Sequence, residues 1–176
     1  MRQATHTLRV RTRSKRLEND VSNIANSPAT GRTSIQKTAL VVGIIFLLVG
    51  VLGFIPGVTS GYDSLQFAGH HSGALLLGLF QVSILHNIVH LLFGIAGLAL
   101  ARSVSASKGY LIVGGIIYLL LWVYGLITGG ESAANFVPLN DADNWLHLVL
   151  GIGMIALGLL LSPKRDRTVE YPKPAS

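Results

Sequence analysis

The chain contains no cysteine, so disulfides, zinc–thiolate centres and thiol catalysis are excluded from the start. Charge is also scarce: Asp, Glu, Lys and Arg make up 12% of the residues, about half the share usual in soluble domains. There is no HExxH pair, no cluster of carboxylates inside an apolar run and no Gly-rich phosphate loop. The common signatures of metallohydrolases, two-carboxylate hydrolases and nucleotide-binding enzymes are therefore missing. What is plentiful is apolar surface. Half of the residues are hydrophobic, and they are gathered into four long runs, which suits a helical bundle in lipid.

Residues 1–34 are polar and basic, with Arg2, Arg9, Arg11, Arg13, Lys15, Arg16 and Arg32. They read as a disordered tail, with a short helix at most near residues 8–21. They do not read as a signal peptide, because the first apolar run starts too late and is too long. The membrane domain is expected over residues 35–162, with helices at about 35–55, 84–101, 110–128 and 141–161. Thr33 and Gln36 have capping-box spacing before the first helix. Ser83 is a plausible N-cap for the second and Asn140 for the fourth, where Asp143 completes a capping box. Pro56 and Gly57 are read as the end of the first helix. The apolar run 74–82 is too short to span and is expected to lie apart in the interface. Residues 102–109 read as a polar turn, Gly129 and Gly130 as the end of the third helix, and 163–176 as a short tail.

One stretch organises the rest. Asn87, His90, Leu91 and Gly94 return at a single constant offset as Asn144, His147, Leu148 and Gly151. Each copy places a His and an Asn about one turn inside an apolar helix. Two spans per copy give two helix hairpins in tandem, a parallel internal repeat about an axis along the membrane normal. The fold class expected is thus all-α, a four-helix transmembrane bundle. Asn87, His90 and Gly94 fall along one helix face, as do Asn144, His147 and Gly151. With His86 and Asp143, the His and Asn residues form a candidate polar cluster. Gly43, Gly50, Gly94 and Gly151 are candidate helix-packing positions, with Gly53 and Gly57 on or near the same stripe. Each of His90 and His147 is expected to point into the bundle and to bond a group on another helix.

Lys and Arg cluster before the first span, between the second and third, and after the fourth. With four spans those places share one side of the membrane. The two loops on the other side carry only Asp63, Glu131, Asp141 and Asp143. Positive charge stays inside, so both termini are expected in the cytoplasm. Tyr62, Phe136 and Trp145 should then lie near the outer headgroups and Tyr110 near the inner ones.

Four motifs carry a resemblance. They are Val51-Leu52-Gly53-Phe54-Ile55-Pro56-Gly57, Leu77-Gly78-Leu79-Phe80-Gln81-Val82, the run from His86 to Gly94, and Asn135-Phe136-Val137-Pro138-Leu139-Asn140 running into Asn144-Trp145-Leu146-His147. Together they resemble a family of small four-helix bacterial membrane proteins known as domain of unknown function 4383. The resemblance implies four spans in a bacterial cell membrane, and it implies no activity, cofactor or catalytic residue.

Three functions remain open on this reading. The first is a non-enzymatic structural, accessory or partner-binding membrane protein, with the His and Asn residues acting as hydrogen-bonding glue between helices. The second is a haem- or metal-binding redox subunit using His90 and His147. The third is a small transporter or channel working as an oligomer. No catalytic residue, cofactor or metal is assigned. The expected partners are the lipid bilayer, anionic lipid at the basic N-terminal tail, and another copy or a second membrane protein; nucleic acid is not expected.

Overall fold

The structure is a computed structural model, and it describes residues 31–128, 132 and 134–162, together with Arg16 and Glu18. The expected tail structure of residues 1–30 and 163–176, and the helix stop at Gly129 and Gly130, lie outside the described residues. The chain divides into two compact units, residues 1–32 and 33–176, and the membrane domain expected from the sequence falls in the second.

That unit is helical, with four α-helices among the described residues. These are α1 (Ser34–Leu52), α2 (Ile84–Leu100), α3 (Val104–Thr128) and α4 (Asp141–Leu160). α1, α3 and α4 are long and apolar enough to cross a membrane, while α2 is apolar but shorter at 17 residues. The helix starts are fixed by short-range caps. The Gln36 side chain accepts a bond from the Thr33 amide at 3.0 Å, and Ser83 Oγ accepts one from the His86 amide at 3.1 Å. Asn140 and Asp143 exchange reciprocal bonds of 3.0 and 3.1 Å. Each satisfies amides that the first helical turn leaves without partners.

Two boundaries differ from the sequence reading. α1 stops at Leu52 rather than near residue 55, because the chain turns at Gly53 and Thr59 reaches back to cap the Leu52 carbonyl at 3.1 Å. Lys37 also falls inside its first turn rather than before it. α3 begins six residues early, at Val104. Ser103 Oγ accepts a bond from the Ala106 amide, and Ser107 is fully buried with its hydroxyl on the Ser103 and Leu100 carbonyls. A serine-rich stretch that looks like a turn is therefore the polar first turn of a helix.

Residues 53–83 are not a simple loop. They hold three two-residue strands, β1 (Thr59–Ser60), β2 (Leu75–Leu76) and β3 (Phe80–Gln81), paired antiparallel in the order β1-β2-β3. The apolar run 74–82 is the β2–β3 hairpin, turned at Leu77 and Gly78. Leu77 carries a φ of +55°, a left-handed conformation that a bulky side chain adopts at a cost. Gln81 and Ser72 knit the loop together: Gln81 Nε2 donates to the Ser72 and His70 carbonyls, and Ser72 Oγ donates to the Val82 carbonyl at 2.6 Å.

The helices pack as two close antiparallel pairs, α1 with α2 and α3 with α4. Across the middle α1 meets α3, and the Phe46 and Tyr118 rings stack at 5.4 Å. Tyr110, expected at the inner headgroups, is buried instead, with its hydroxyl on the Phe93 carbonyl at 3.2 Å. Large apolar side chains such as Val41, Leu48, Leu92, Leu120, Val149 and Ile152 face outward. This belt is far larger than a water-exposed surface tolerates.

Candidate functional site

The site begins with glycines that let helices touch. A Cβ at Gly43 would lie 3.0 Å from the Gly94 carbonyl oxygen, and one at Gly94 would press on Leu47. On the other pair, a Cβ at Gly115 would lie 2.7 Å from the Gly151 carbonyl oxygen, and one at Gly151 would press on Leu119. Toward the outer end, a Cβ at Gly50 would run into Leu91, and one at Gly53 into the Asn87 carboxamide. A Cβ at Gly125 would collide in the same way with the Asn144 carboxamide. All four glycines singled out from the sequence thus lie at helix contacts, and Gly53 joins them. Gly57 does not: its φ is +90° and nothing lies near it, so it is a turn residue.

The same close approach carries the polar cluster. His86, Asn87, His90, Asp143, Asn144 and His147 are all buried, and the structure brings them to the half of the bundle nearest the β1–β3 loop. His86 and His90 stack with ring centroids 4.6 Å apart. Phe46 lies 5.7 Å from His90, Tyr118 lies 5.2 Å from His147, and His86 closes the circle at 6.3 Å from His147. Five rings therefore form one closed ring of contacts, with His86, His90 and His147 on its outer side.

The hydrogen bonds divide these residues. His90 Nδ1 lies 2.9 Å from the His86 carbonyl oxygen. A carbonyl only accepts, so Nδ1 carries the proton and Nε2 is the basic nitrogen. That bond is within α2, where the sequence led us to expect a bond to another helix. Asp143 is engaged by the loop of the first helix pair: its Oδ2 accepts from the Gln81 amide at 3.0 Å as well as from Asn140. Asn140 Nδ2 adds a bond to the Leu79 carbonyl at 2.8 Å. The other side chains keep unpaired atoms. His86 Nδ1, His147 Nδ1, Asn144 Oδ1 and both polar atoms of Asn87 are buried without a hydrogen-bond partner.

The pairing of His90 with His147 that a redox subunit would need is not the closest one. α2 and α4 approach through His86 and His147, while His90 is held between His86 and Phe46. No group of three or more His, Asp or Glu side chains among the described residues is placed to hold a metal ion. The His70 and His71 rings meet at a tilt with centroids 3.9 Å apart, in the loop between α1 and α2.

Phe46 and Tyr118 are members of this ring of contacts that the sequence reading did not assign to the polar cluster. A signal for them exists. Gly43, Phe46, Leu47 and Gly53 on α1 recur at one constant offset as Gly115, Tyr118, Leu119 and Gly125 on α3. That offset differs from the one relating α2 to α4, because the first outer loop is longer. A search at a single offset finds only half of the pattern.

No curated protein and no solved structure shows significant similarity to the chain. The family described as a domain of unknown function, DUF4383, matches residues 36–160. That match takes in all four helices apart from the first two residues of α1, both outer loops and every residue of the polar cluster, and the chain belongs to the DUF4383 family.

Proposed function

We propose that this protein is an integral membrane protein with four spans, two tandem hairpins forming a parallel internal repeat, and that its role is structural or accessory rather than catalytic. It acts by binding another membrane protein or another copy of itself, in a bacterial cell membrane, with both termini in the cytoplasm. The observation that carries this reading is where the interior polar groups lie. Asn87 and Asn144 sit on glycines of the neighbouring helix, Asp143 is engaged in capping α4 and clamping the β2–β3 turn, and His90 Nδ1 is bonded within its own helix. The Asp143 bonds join the two helix pairs and the glycine contacts pack each pair closely, which is a structural use of the interior.

Two further facts support the topology. α2 lies against α1 from Gly43 to Gly53, through Leu98, Gly94, Leu91 and Asn87 in turn, so it shares the depth of a helix that can span. At ~1.5 Å per residue its 17 residues reach ~26 Å, close to the ~30 Å hydrocarbon layer. Lys37, Arg102 and Lys108 lie at one end of the bundle, and Asp63, Asp141 and Asp143 at the other. Alkaline phosphatase fused to the C-terminus should be inactive and a fluorescent protein fused there bright; the opposite pattern would reverse the orientation. The purified protein should be colourless. A Soret band that shifts on reduction would replace this reading with the haem-binding one, and solute flux through reconstituted liposomes would replace it with a transporter.

A further inference from the structure

Between α2 and α3 the bundle is open. The two helices belong to different pairs, and small residues on both leave a groove of about 360 Å³. Ala96 and Leu100 line one side, Ala106, Gly109 and Val113 the other, and Phe93 with Ile117 closes the deep end. The lining is almost wholly apolar. The one hydroxyl that borders it, on Tyr110, is already bonded to the Phe93 carbonyl.

Two measures of this groove point to one kind of occupant. The first is its length. From Ala106 to Ile117 it follows eleven residue steps of α3, or ~16 Å, which is about half of a ~30 Å hydrocarbon layer. It runs from the α2–α3 turn to the middle of the membrane, the depth of one leaflet. The second is charge. Arg102 is exposed in the turn two residues after Leu100, at its mouth, and every described acidic residue of residues 33–162 lies at the opposite end of the bundle. Lys108, also exposed, falls on the face of α3 opposite Ala106, Gly109 and Val113. An acyl chain fits the groove, and a phosphate-bearing headgroup fits its rim.

We infer that the α2–α3 groove is a binding site for one anionic phospholipid of the inner leaflet, with an acyl chain along Gly109 and Val113 and the headgroup held by Arg102. The inference rests on the four-span reading, since it needs the groove to face lipid. It differs from a general attraction of basic tails to membranes, because it fixes one lipid per chain at a defined place.

The test is native mass spectrometry of the full-length protein, released from nanodiscs containing phosphatidylglycerol and phosphatidylcholine. One phosphatidylglycerol should remain bound per chain, in preference to phosphatidylcholine. Arg102→Gln should reduce that preference about fivefold while leaving the thermal stability unchanged, and Lys108→Gln, on the far face of α3, should leave the preference as it is. Gly109→Phe should displace both lipids. A Cβ at Gly109 meets nothing within 4 Å, so the variant can fold, and its melting temperature checks that it has. Equal retention of the two lipids, or an undiminished preference in Arg102→Gln, would overturn the site. So would a stable lipid-free dimer, which would show that a second copy fills the groove. Should the protein be stripped from membranes by alkaline carbonate, the spanning reading itself would fail, which is a different result from loss of lipid preference.

Discussion

The two helix pairs share a core and differ in the loops that join their two helices. Gly43, Phe46, Gly53, Asn87, His90 and Gly94 in the first pair are matched by Gly115, Tyr118, Gly125, Asn144, His147 and Gly151 in the second, contact for contact. Their caps then diverge. Where α4 has Asp143 completing a capping box, α2 has His86, whose backbone amide is capped by Ser83 alone. The first pair carries a small sheet on its outer loop, while the described part of the second loop has no strand. The difference separates two jobs: the glycine and polar contacts hold each pair closed, and the loops and caps join the pairs to one another.

The largest effect should come from the shared part. Gly43→Leu and Gly115→Leu each force a side chain into a neighbouring backbone, and each should cost ~3 kcal/mol or more. Unfolding in detergent should show the two variants equally damaged, and Gly153→Leu, whose Cβ meets nothing, within ~0.5 kcal/mol of the parent. A tolerated Gly115→Leu beside a ruined Gly43→Leu would break the equivalence of the pairs.

Asp143→Ala probes the unshared part. It leaves the Gln81 and Asn140 amides without their acceptor and should cost ~2 kcal/mol. Its signature is local: limited proteolysis should cut within residues 75–81 faster, with the α1–α2 contact intact. Unchanged cleavage would mean that the loop is held by something else.

The histidines sharpen the comparison further. His90→Leu deletes a made hydrogen bond and should cost ~1 kcal/mol, whereas His147→Leu removes a buried nitrogen that has no partner and should cost nothing or stabilise slightly. Equal losses in the two variants would show that His147 Nδ1 has a partner after all. The smallest effect belongs to the first loop alone, which holds every described residue with positive φ. Leu77→Asn accepts the left-handed turn more readily and should raise stability by ~0.5 kcal/mol; a destabilised variant would mean that the exposed Leu77 side chain is needed for contact.

Local signals in the sequence carried three of the four helix starts, those of α1, α2 and α4, and missed that of α3 by six residues. Thr33, Ser83 and Asn140 cap within three residues of themselves, so their neighbours suffice to recognise them. Ends fared worse. Phe54 and Ile55 continue the apolar pattern past the point where α1 stops, and the stop is made by Thr59 reaching back from the loop. The β2–β3 hairpin was not legible at all, since two-residue strands have no period and its turn uses a leucine where glycine or asparagine is usual. In the cluster, the polar members could be picked out because they interrupt an apolar run. Phe46 and Tyr118 stand out only at the second offset, because aromatic rings in such a run otherwise look like ordinary packing.

The clamp from Asn140 and Asp143 onto Leu79 and Gln81 bears on the order in which the protein is built. Synthesis runs from the N-terminus, so the first hairpin and its sheet are complete while the last helix is still being made. The receptor for the start of α4 is therefore in place before α4 arrives. If the last helix enters one residue out of register, Asp143 misses the Gln81 amide and Asn140 misses the Leu79 carbonyl. The loop of residues 53–83 acts as a gauge against which the final segment is measured during assembly.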